Sequence, residues 1–167
     1  MITPLKIAPL PEGRSLREPM TAIVTFGGIG LLPLAPGSWG ALAALPLAWL
    51  IATAGGWPAL LIAAAIASAV GWRAAERYVA ATGRKDPPEI VIDEVAAQWL
   101  ALTIVPLTVT GYAAAYLIFR AFDTLKPWPA SWADRHVEGG AGVMLDDLFA
   151  GAYSLAVLAV LKAAGWM

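Results

Sequence analysis

The sequence of 167 residues contains no cysteine, a single histidine and few charged side chains. The absence of cysteine excludes disulfide bonds, thiolate nucleophiles and metal sites built from cysteine. His136 has no serine or cysteine triad to join, so we do not predict a histidine-based nucleophilic site. A net charge of -1 provides no basic field, and we therefore expect no nucleic-acid partner.

Charged residues make up only 14% of the chain, whereas 59% are hydrophobic. The 54 residues from Pro19 to Trp72 carry no charge at all. A soluble helical domain is the alternative, but a chain of this size has too much surface to bury so much apolar material. The sequence therefore predicts an all-α integral membrane protein, with residues 1–20 as a flexible N-terminal tail and residues 21–167 as a single membrane domain.

The first part of the apolar sequence predicts two helices, over 41–54 and from Ala59 onward, separated by Gly55-Gly56-Trp57-Pro58. The second of these helices is expected to continue past Trp72 and to end at Gly83, because glycine favours a helix C-cap. Residues 85–88 then form a loop. This pattern indicates a helical hairpin.

A second uncharged stretch, residues 95–119, is long enough to cross a bilayer once. With a break between Pro106 and Gly111, and with helices extended to Ile90 and Lys126, it instead forms two helices of roughly 25 Å. A last helix is predicted over 148–161, so that Asp146 and Asp147 lie at its start. We favour a multi-pass bundle of two hairpins plus a C-terminal helix, because this topology unites five carboxylates at one membrane face.

Basic residues follow the same topology, since they flank the hairpins while the turns at 55–58 and 106–111 are uncharged. By the positive-inside rule, the flanking segments and the acids beside them face the cytoplasm.

The acids occur at three separate places, as Asp93-Glu94, Asp123 and Asp146-Asp147. Helix capping accounts well for one acid at a helix end and poorly for two. Several carboxylates at one membrane face suit a hard divalent cation such as Mg²⁺, which prefers oxygen ligands and shares them with phosphate. We therefore predict that these five acids bind metal.

Arg120, Asp123 and Lys126 recur at a spacing of three residues, on one helical face. They form either a local ion-paired helix end or a phosphate contact in which Arg120 or Lys126 binds beside the metal. The glycine-rich segment from Phe26 to Gly40 is either a close-packed turn or an anion-binding nest. The candidate substrate-binding residues are therefore Gly28, Gly30, Gly37, Ser38, Arg120 and Lys126.

Four strings, taken in order and together, resemble the phosphatidylglycerophosphatase A family. They are Leu-Ala-Pro-Gly-Ser-Trp-Gly, Val-Ile-Asp-Glu-Val, Phe-Arg-Ala-Phe-Asp-Thr-Leu-Lys-Pro-Trp-Pro and Gly-Gly-Ala-Gly-Val-Met-Leu-Asp-Asp-Leu-Phe-Ala-Gly. Two positions depart from the usual family pattern: Ser38 replaces a common threonine but keeps the hydroxyl, and Ala97 replaces a common glycine.

The resemblance implies Mg²⁺-dependent hydrolysis of phosphatidylglycerophosphate, a membrane lipid, to phosphatidylglycerol at the inner leaflet of a bacterial cytoplasmic membrane. The catalytic residues would be the five acids, Asp93, Glu94, Asp123, Asp146 and Asp147. The attacking group is either water or a carboxylate such as Asp123, and we favour water. The alternative from another class is a small cation-coupled transporter or channel, which glycine-broken helices at the membrane midplane would favour.

Overall fold

The computed structural model describes residues 8–166, and within that range the chain is helical and has no strand. The all-α prediction is confirmed. The described helices are α1 (Pro19–Val24), α2 (Pro36–Thr82), α3 (Ile92–Leu102), α4 (Val109–Leu125), α5 (Ala130–His136) and α6 (Gly139–Ala163), with one 3-10 turn at Ile29–Leu31. Judged by length and composition, α2 and α6 are able to cross a membrane.

The N-terminal segment from residue 8 to 18 is irregular, and the first seven residues of the predicted tail lie outside the described residues. The backbone N–H of Ala8 donates to the carbonyl of Leu31 at 2.8 Å. Helix α1 begins at Pro19, where a fixed φ suits the first helical turn. The boundary of the tail at residue 20 and its flexibility stay predictions.

Helix α2 is interrupted at Gly56, whose φ of 68° and ψ of -168° are not helical. Pro58 lies two residues later and has no backbone N–H to donate. Residues from the two parts of α2 share core clusters: Ala48 with Leu60, and Ala44 with Ala67. The interruption lies within the predicted segment 55–58.

The predicted end of α2 at Gly83 is confirmed. Gly83 has a left-handed φ of 65°, which costs glycine little, and its N–H donates to the carbonyl of Val79 at 2.9 Å. Residues 83–91 form the irregular connection to α3, as the Lys-Asp-Pro-Pro sequence predicts.

Helix α3 is shorter than expected. Its 11 residues span about 16 Å, not 25 Å, whereas the 17 residues of α4 span about 25 Å. The helix ends at Leu102, with Thr103 as its C-cap, shortly before Pro106, which has no N–H to donate and disfavours helical conformation in Val105. Helix α4 resumes after Thr108, whose side chain accepts the N–H of Gly111 at 3.1 Å.

The prediction that a helix begins at residue 148 is wrong, because α6 begins at Gly139. The N–H of Gly140 donates to Glu76 at 2.6 Å, and a Cβ on Gly140 would overlap the backbone of α2. Glycine thus lets the first turn of α6 form directly against α2. Asp146 and Asp147 consequently lie two turns inside α6, and not at its start.

Helices α3 and α6 run in the same direction. The start of α3 meets α6 at Asp147, Ala97 meets Gly151, and Lys162 donates to the carbonyl of Ile104 at 2.8 Å. A Cβ on Gly151 would overlap the backbone of Ala97. This register sets Asp147 opposite the first turn of α3. The position of Asp147 therefore depends on the packing of α6 against α3 and not on the residue at which α6 begins.

Candidate active site

An acidic cavity of about 370 Å³ lies where the start of α3, the end of α4, the first turns of α6 and the loop before α3 meet. Its polar lining includes all five of the predicted acids. The charged residues that line it are Lys85, Asp86, Asp93, Glu94, Arg120, Asp123, Lys126, Asp134, Asp146 and Asp147.

Three of these carboxylates form a cluster. Asp93, Glu94 and Asp147 each place one oxygen so that the three atoms lie within 4.8 Å of one another. Asp93 is 8% exposed and Asp147 is 4% exposed. Within residues 8–166, no lysine or arginine forms an ion pair with any of the three. We call these residues the cluster acids.

The cluster acids fit a divalent cation. Glu94 Oε2 and Asp147 Oδ2 are buried and have no hydrogen-bond partner among the described residues. Burying carboxylate oxygens without a partner is costly unless another charge compensates them. The donor set is composed of oxygen, which hard cations such as Mg²⁺ prefer. A metal ion held by these residues would remove the cost.

The remaining predicted acids are engaged with cations. Asp123 forms an ion pair with Arg120, one turn earlier in α4. The ammonium of Lys126 lies 2.6 Å from both Asp134 and Asp146. We call Asp123 and Asp146 the paired acids. The structure thus brings all five predicted acids to one cavity but divides them into two electrostatic groups.

Lys126 directly follows α4 in a left-handed conformation with φ of 43°. Burial alone lowers the pKa of its ammonium, but the hydrogen bonds to Asp134 and Asp146 outweigh it and raise the pKa above the usual range. Lys126 therefore stays charged and occupied by carboxylates.

The glycine-rich segment contributes one of its four candidate residues to the cavity. Gly37 borders it, and a Cβ there would overlap Glu94 Oε1 and lie 3.3 Å from Arg120. Gly28, Gly30 and Ser38 do not line the cavity. Gly28 has a left-handed φ of 98°, and Gly30 packs on the backbone of Glu89. Their role in substrate binding stays a prediction.

Three charged lining residues, Lys85, Asp86 and Asp134, were not singled out from the sequence. Asp134 lies on α5, and only the fold of the 127–139 segment brings it to Lys126. Lys85 lies in the loop before α3, where its ammonium donates to the carbonyl of Arg135 at 3.4 Å. From the sequence alone, a lysine in a polar loop that lines a cavity cannot be told apart from one that is exposed to solvent. His136 is exposed and does not line the cavity.

Comparisons with known proteins point to one family. The family model of phosphatidylglycerophosphatase A matches residues 22–162. A relative of that name from Escherichia coli (strain K12) is 36% identical over 144 residues, 86% of this chain and 83% of the relative. One from Haemophilus influenzae is 34% identical over 154 residues, 92% of this chain and 93% of the relative.

A third relative, from Bacteroides thetaiotaomicron, is provisionally named a phosphatidylinositol-3-phosphatase and is 36% identical over 153 residues, 84% of this chain and 91% of the relative. No solved structure gives a significant match. The family match covers every residue of the acidic cavity. The chain therefore belongs to the phosphatidylglycerophosphatase A family of phosphatases.

Proposed function

We propose that the chain hydrolyses the terminal phosphate ester of phosphatidylglycerophosphate, giving phosphatidylglycerol and inorganic phosphate. Family membership supports the reaction class and the substrate. The observation that carries the proposal is the group of cluster acids, in which Glu94 and Asp147 each keep a buried oxygen without a partner. They lie in a cavity large enough for a phosphorylated headgroup.

The cluster acids Asp93, Glu94 and Asp147 would hold Mg²⁺, with Asp123 and Asp146 beside them. A bound Mg²⁺ would neutralise phosphate charge and lower the pKa of a coordinated water. Arg120, which forms an ion pair with Asp123 and lines the cavity, would contact phosphate oxygens, because a guanidinium is able to bind phosphate in a bidentate manner. The ammonium of Lys126 pairs with both Asp146 and Asp134. Asp134 would hold the ammonium in place, and the ammonium would hold the carboxylate of Asp146.

Hydrolysis requires a water oxygen to bond to phosphorus while the bond from phosphorus to the glycerol oxygen breaks. The released glycerol oxygen takes a proton, and the product lipid keeps its phosphodiester. The carboxylates in the cavity are the groups able to take the proton from the attacking water. This assignment favours water over a carboxylate as nucleophile, because Asp123 is already paired with Arg120.

The membrane arrangement that we infer is a multi-pass bundle in the bacterial cytoplasmic membrane. The two parts of α2 would form one hairpin around Gly56, and α3 with α4 the other, because Ala97 shares a core cluster with Phe119 and Leu102 shares another with Tyr112. The acidic cavity would face the cytoplasm, in accord with the basic residues nearby. The break at Gly56 lies far along α2 from this cavity, which does not suit the transporter alternative.

Phosphate release from purified protein in detergent micelles tests the function. We expect release from phosphatidylglycerophosphate with Mg²⁺ and none after exhaustive chelation, with activity restored by added Mg²⁺. Phosphatidylinositol-3-phosphate serves as the competing substrate, because one relative carries that name. Undiminished phosphate release after chelation would refute the metal-dependent mechanism. Faster release from the inositol lipid than from phosphatidylglycerophosphate would refute the proposed substrate in favour of the inositol lipid.

A further inference from the structure

Two apolar cavities, which we together call the groove, lie along the seam between the first part of α2 and α4 and begin one residue beyond Gly37 of the acidic cavity. The groove begins as a small cavity of about 190 Å³ beside Ser38 and continues as one of about 520 Å³ that ends near Trp49. Leu42 and Tyr116 line both cavities, so the two are adjacent. The lining is almost wholly apolar.

The groove and the acidic cavity share one face of α4. Ala113 and Tyr116 line the groove, whereas Arg120 and Thr124 line the cavity. These positions recur at spacings of three and four residues, and such positions lie on the same side of a helix. On α2, Gly37 borders the cavity and the next residue borders the groove.

The length of the groove matches one leaflet of a bilayer. From Ser38 to Trp49, eleven residues at 1.5 Å each give about 16 Å. This is about half of the 30 Å thickness of a hydrocarbon core. At the far end, the rings of Trp49 and Tyr112 meet edge to face with centroids 5.0 Å apart. At the near end, the Tyr116 hydroxyl donates to the Ser38 carbonyl at 3.4 Å.

We propose that this groove binds one acyl chain of the lipid substrate while its phosphorylated headgroup occupies the acidic cavity. The proposal rests on the proposed function and adds the place of the lipid tail. Because apolar side chains and lipid tails are equally apolar, the groove gains little by burial and acts chiefly by orienting the chain. Tyr116 and the Ser38 carbonyl then mark the level where headgroup and chain meet.

A second apolar groove provides a matched comparison. It lies between the later part of α2 and α6, where Ala65 and Met144 line it. On α6, its lining residues Ala141, Met144, Leu145 and Leu148 lie on the helix face opposite to Gly142, Val143, Asp146 and Asp147, which line the cavity. A chain in that groove would be separated from its headgroup by α6.

Groove-filling variants test the proposal. Ala113→Phe should lower kcat/KM for diacyl phosphatidylglycerophosphate by about tenfold, because apolar pockets discriminate by about that factor per added group. Hydrolysis of the deacylated, water-soluble headgroup should be unchanged. Ala65→Phe should leave kcat/KM unchanged for both the diacyl lipid and the deacylated headgroup. Equal losses on both substrates, or an unchanged rate on the diacyl lipid, would overturn the proposal.

Photocrosslinking tests the proposal on wild-type protein, so that its result does not depend on whether a variant folds. Phosphatidylglycerophosphate and phosphatidylcholine are each prepared with the same diazirine-bearing acyl chain. We expect the first lipid to label Leu42 and Ala113 several-fold more than the second, with equal labelling of Ala65. Equal labelling of Leu42 and Ala113 by both lipids would show ordinary boundary lipid and refute the proposal. If wild-type protein releases phosphate from neither substrate, it is the proposed function that fails.

Discussion

The cluster acids and the paired acids lie in one cavity and share one residue type, but their surroundings differ. Asp146 and Asp147 each keep one buried oxygen without a partner, but Asp147 lies near Asp93 and Glu94, whereas the other oxygen of Asp146 is 2.6 Å from Lys126. Adjacent residues on a helix point about 100° apart, so one carboxylate of the pair turns toward α3 and the other toward the lysine. Asp146 and Asp147 are therefore adjacent in the sequence but are not equivalent as candidate metal ligands.

The largest expected effect separates these neighbours. Asp147→Asn should lower turnover by several orders of magnitude and raise the Mg²⁺ concentration for half-maximal activity, because a hard cation loses a charged ligand without a change of shape. Asp146→Asn should have a smaller effect, since its carboxylate is already neutralised by Lys126.

Mg²⁺ titrations of both variants at saturating lipid provide the measurement, with circular dichroism as the check on folding. Asp93→Asn is the matched variant in the same cluster and should behave like Asp147→Asn. Equal loss in Asp146→Asn and Asp147→Asn would remove the distinction between the two groups of acids.

Arg120 tests whether a cation of the paired group also contacts substrate. Replacement by lysine keeps the charge but cannot reproduce a bidentate fork. If Arg120 binds phosphate, Arg120→Lys should lower kcat/KM by about 10- to 100-fold, since a hydrogen bond to a charged group is worth roughly 1.5–3 kcal/mol.

The control for Arg120 is Lys126→Arg, in which the cation also changes its shape while keeping its charge. Near-normal rates in both variants would limit these residues to ion pairing with Asp123 and Asp146. A loss confined to Arg120→Lys would assign phosphate contact to the guanidinium.

The composition and the acid positions were enough to predict an all-helical chain and the five acids that meet at the cavity. The hydrophobic pattern places all of these acids at helix ends, which holds for Asp93-Glu94 and Asp123 but not for Asp146-Asp147, since these two lie inside α6. The start of α6 was missed because Gly139–Gly142 has the composition of a loop. Its helical form depends on tertiary contact with Glu76, which local propensity does not encode.

The division into cluster and paired acids was also beyond the sequence. It depends on the parallel register of α3 and α6, set by the close approach of Gly151 to Ala97, and on Asp134 of α5. The backbone of Ala97 contacts α6 because Gly151, which has no Cβ, leaves room for it. Such mutual fits between distant segments leave no periodic signal in a single sequence.

Gly37, in the first turn of α2, packs directly against Glu94, which is one of the cluster acids. A methyl group there would overlap the Glu94 carboxylate and approach Arg120, although nothing in its φ forbids alanine. We expect Gly37→Ala to displace Glu94 and to lower kcat by about tenfold, the smaller end of the range for residues that orient metal ligands. Gly27→Ala is the comparison without a steric neighbour, and its left-handed φ of 68° should affect stability more than rate.

The smallest effect is expected at Asp134, a cavity-lining residue whose ion pair is with Lys126 and not with a cluster acid. Asp134 is 38% exposed at its side chain, so solvent screens its interaction and a partner of this kind contributes little on its own. Asp134→Asn should leave KM for the lipid unchanged and lower kcat less than tenfold, because Lys126 keeps its bond to Asp146. Asp134→Glu should restore the rate, since it returns the charge. If Asp134→Asn instead abolishes activity while the protein stays folded, then the Lys126 ion pairs form part of the metal site itself, and the boundary between cluster and paired acids must be redrawn to include Asp146.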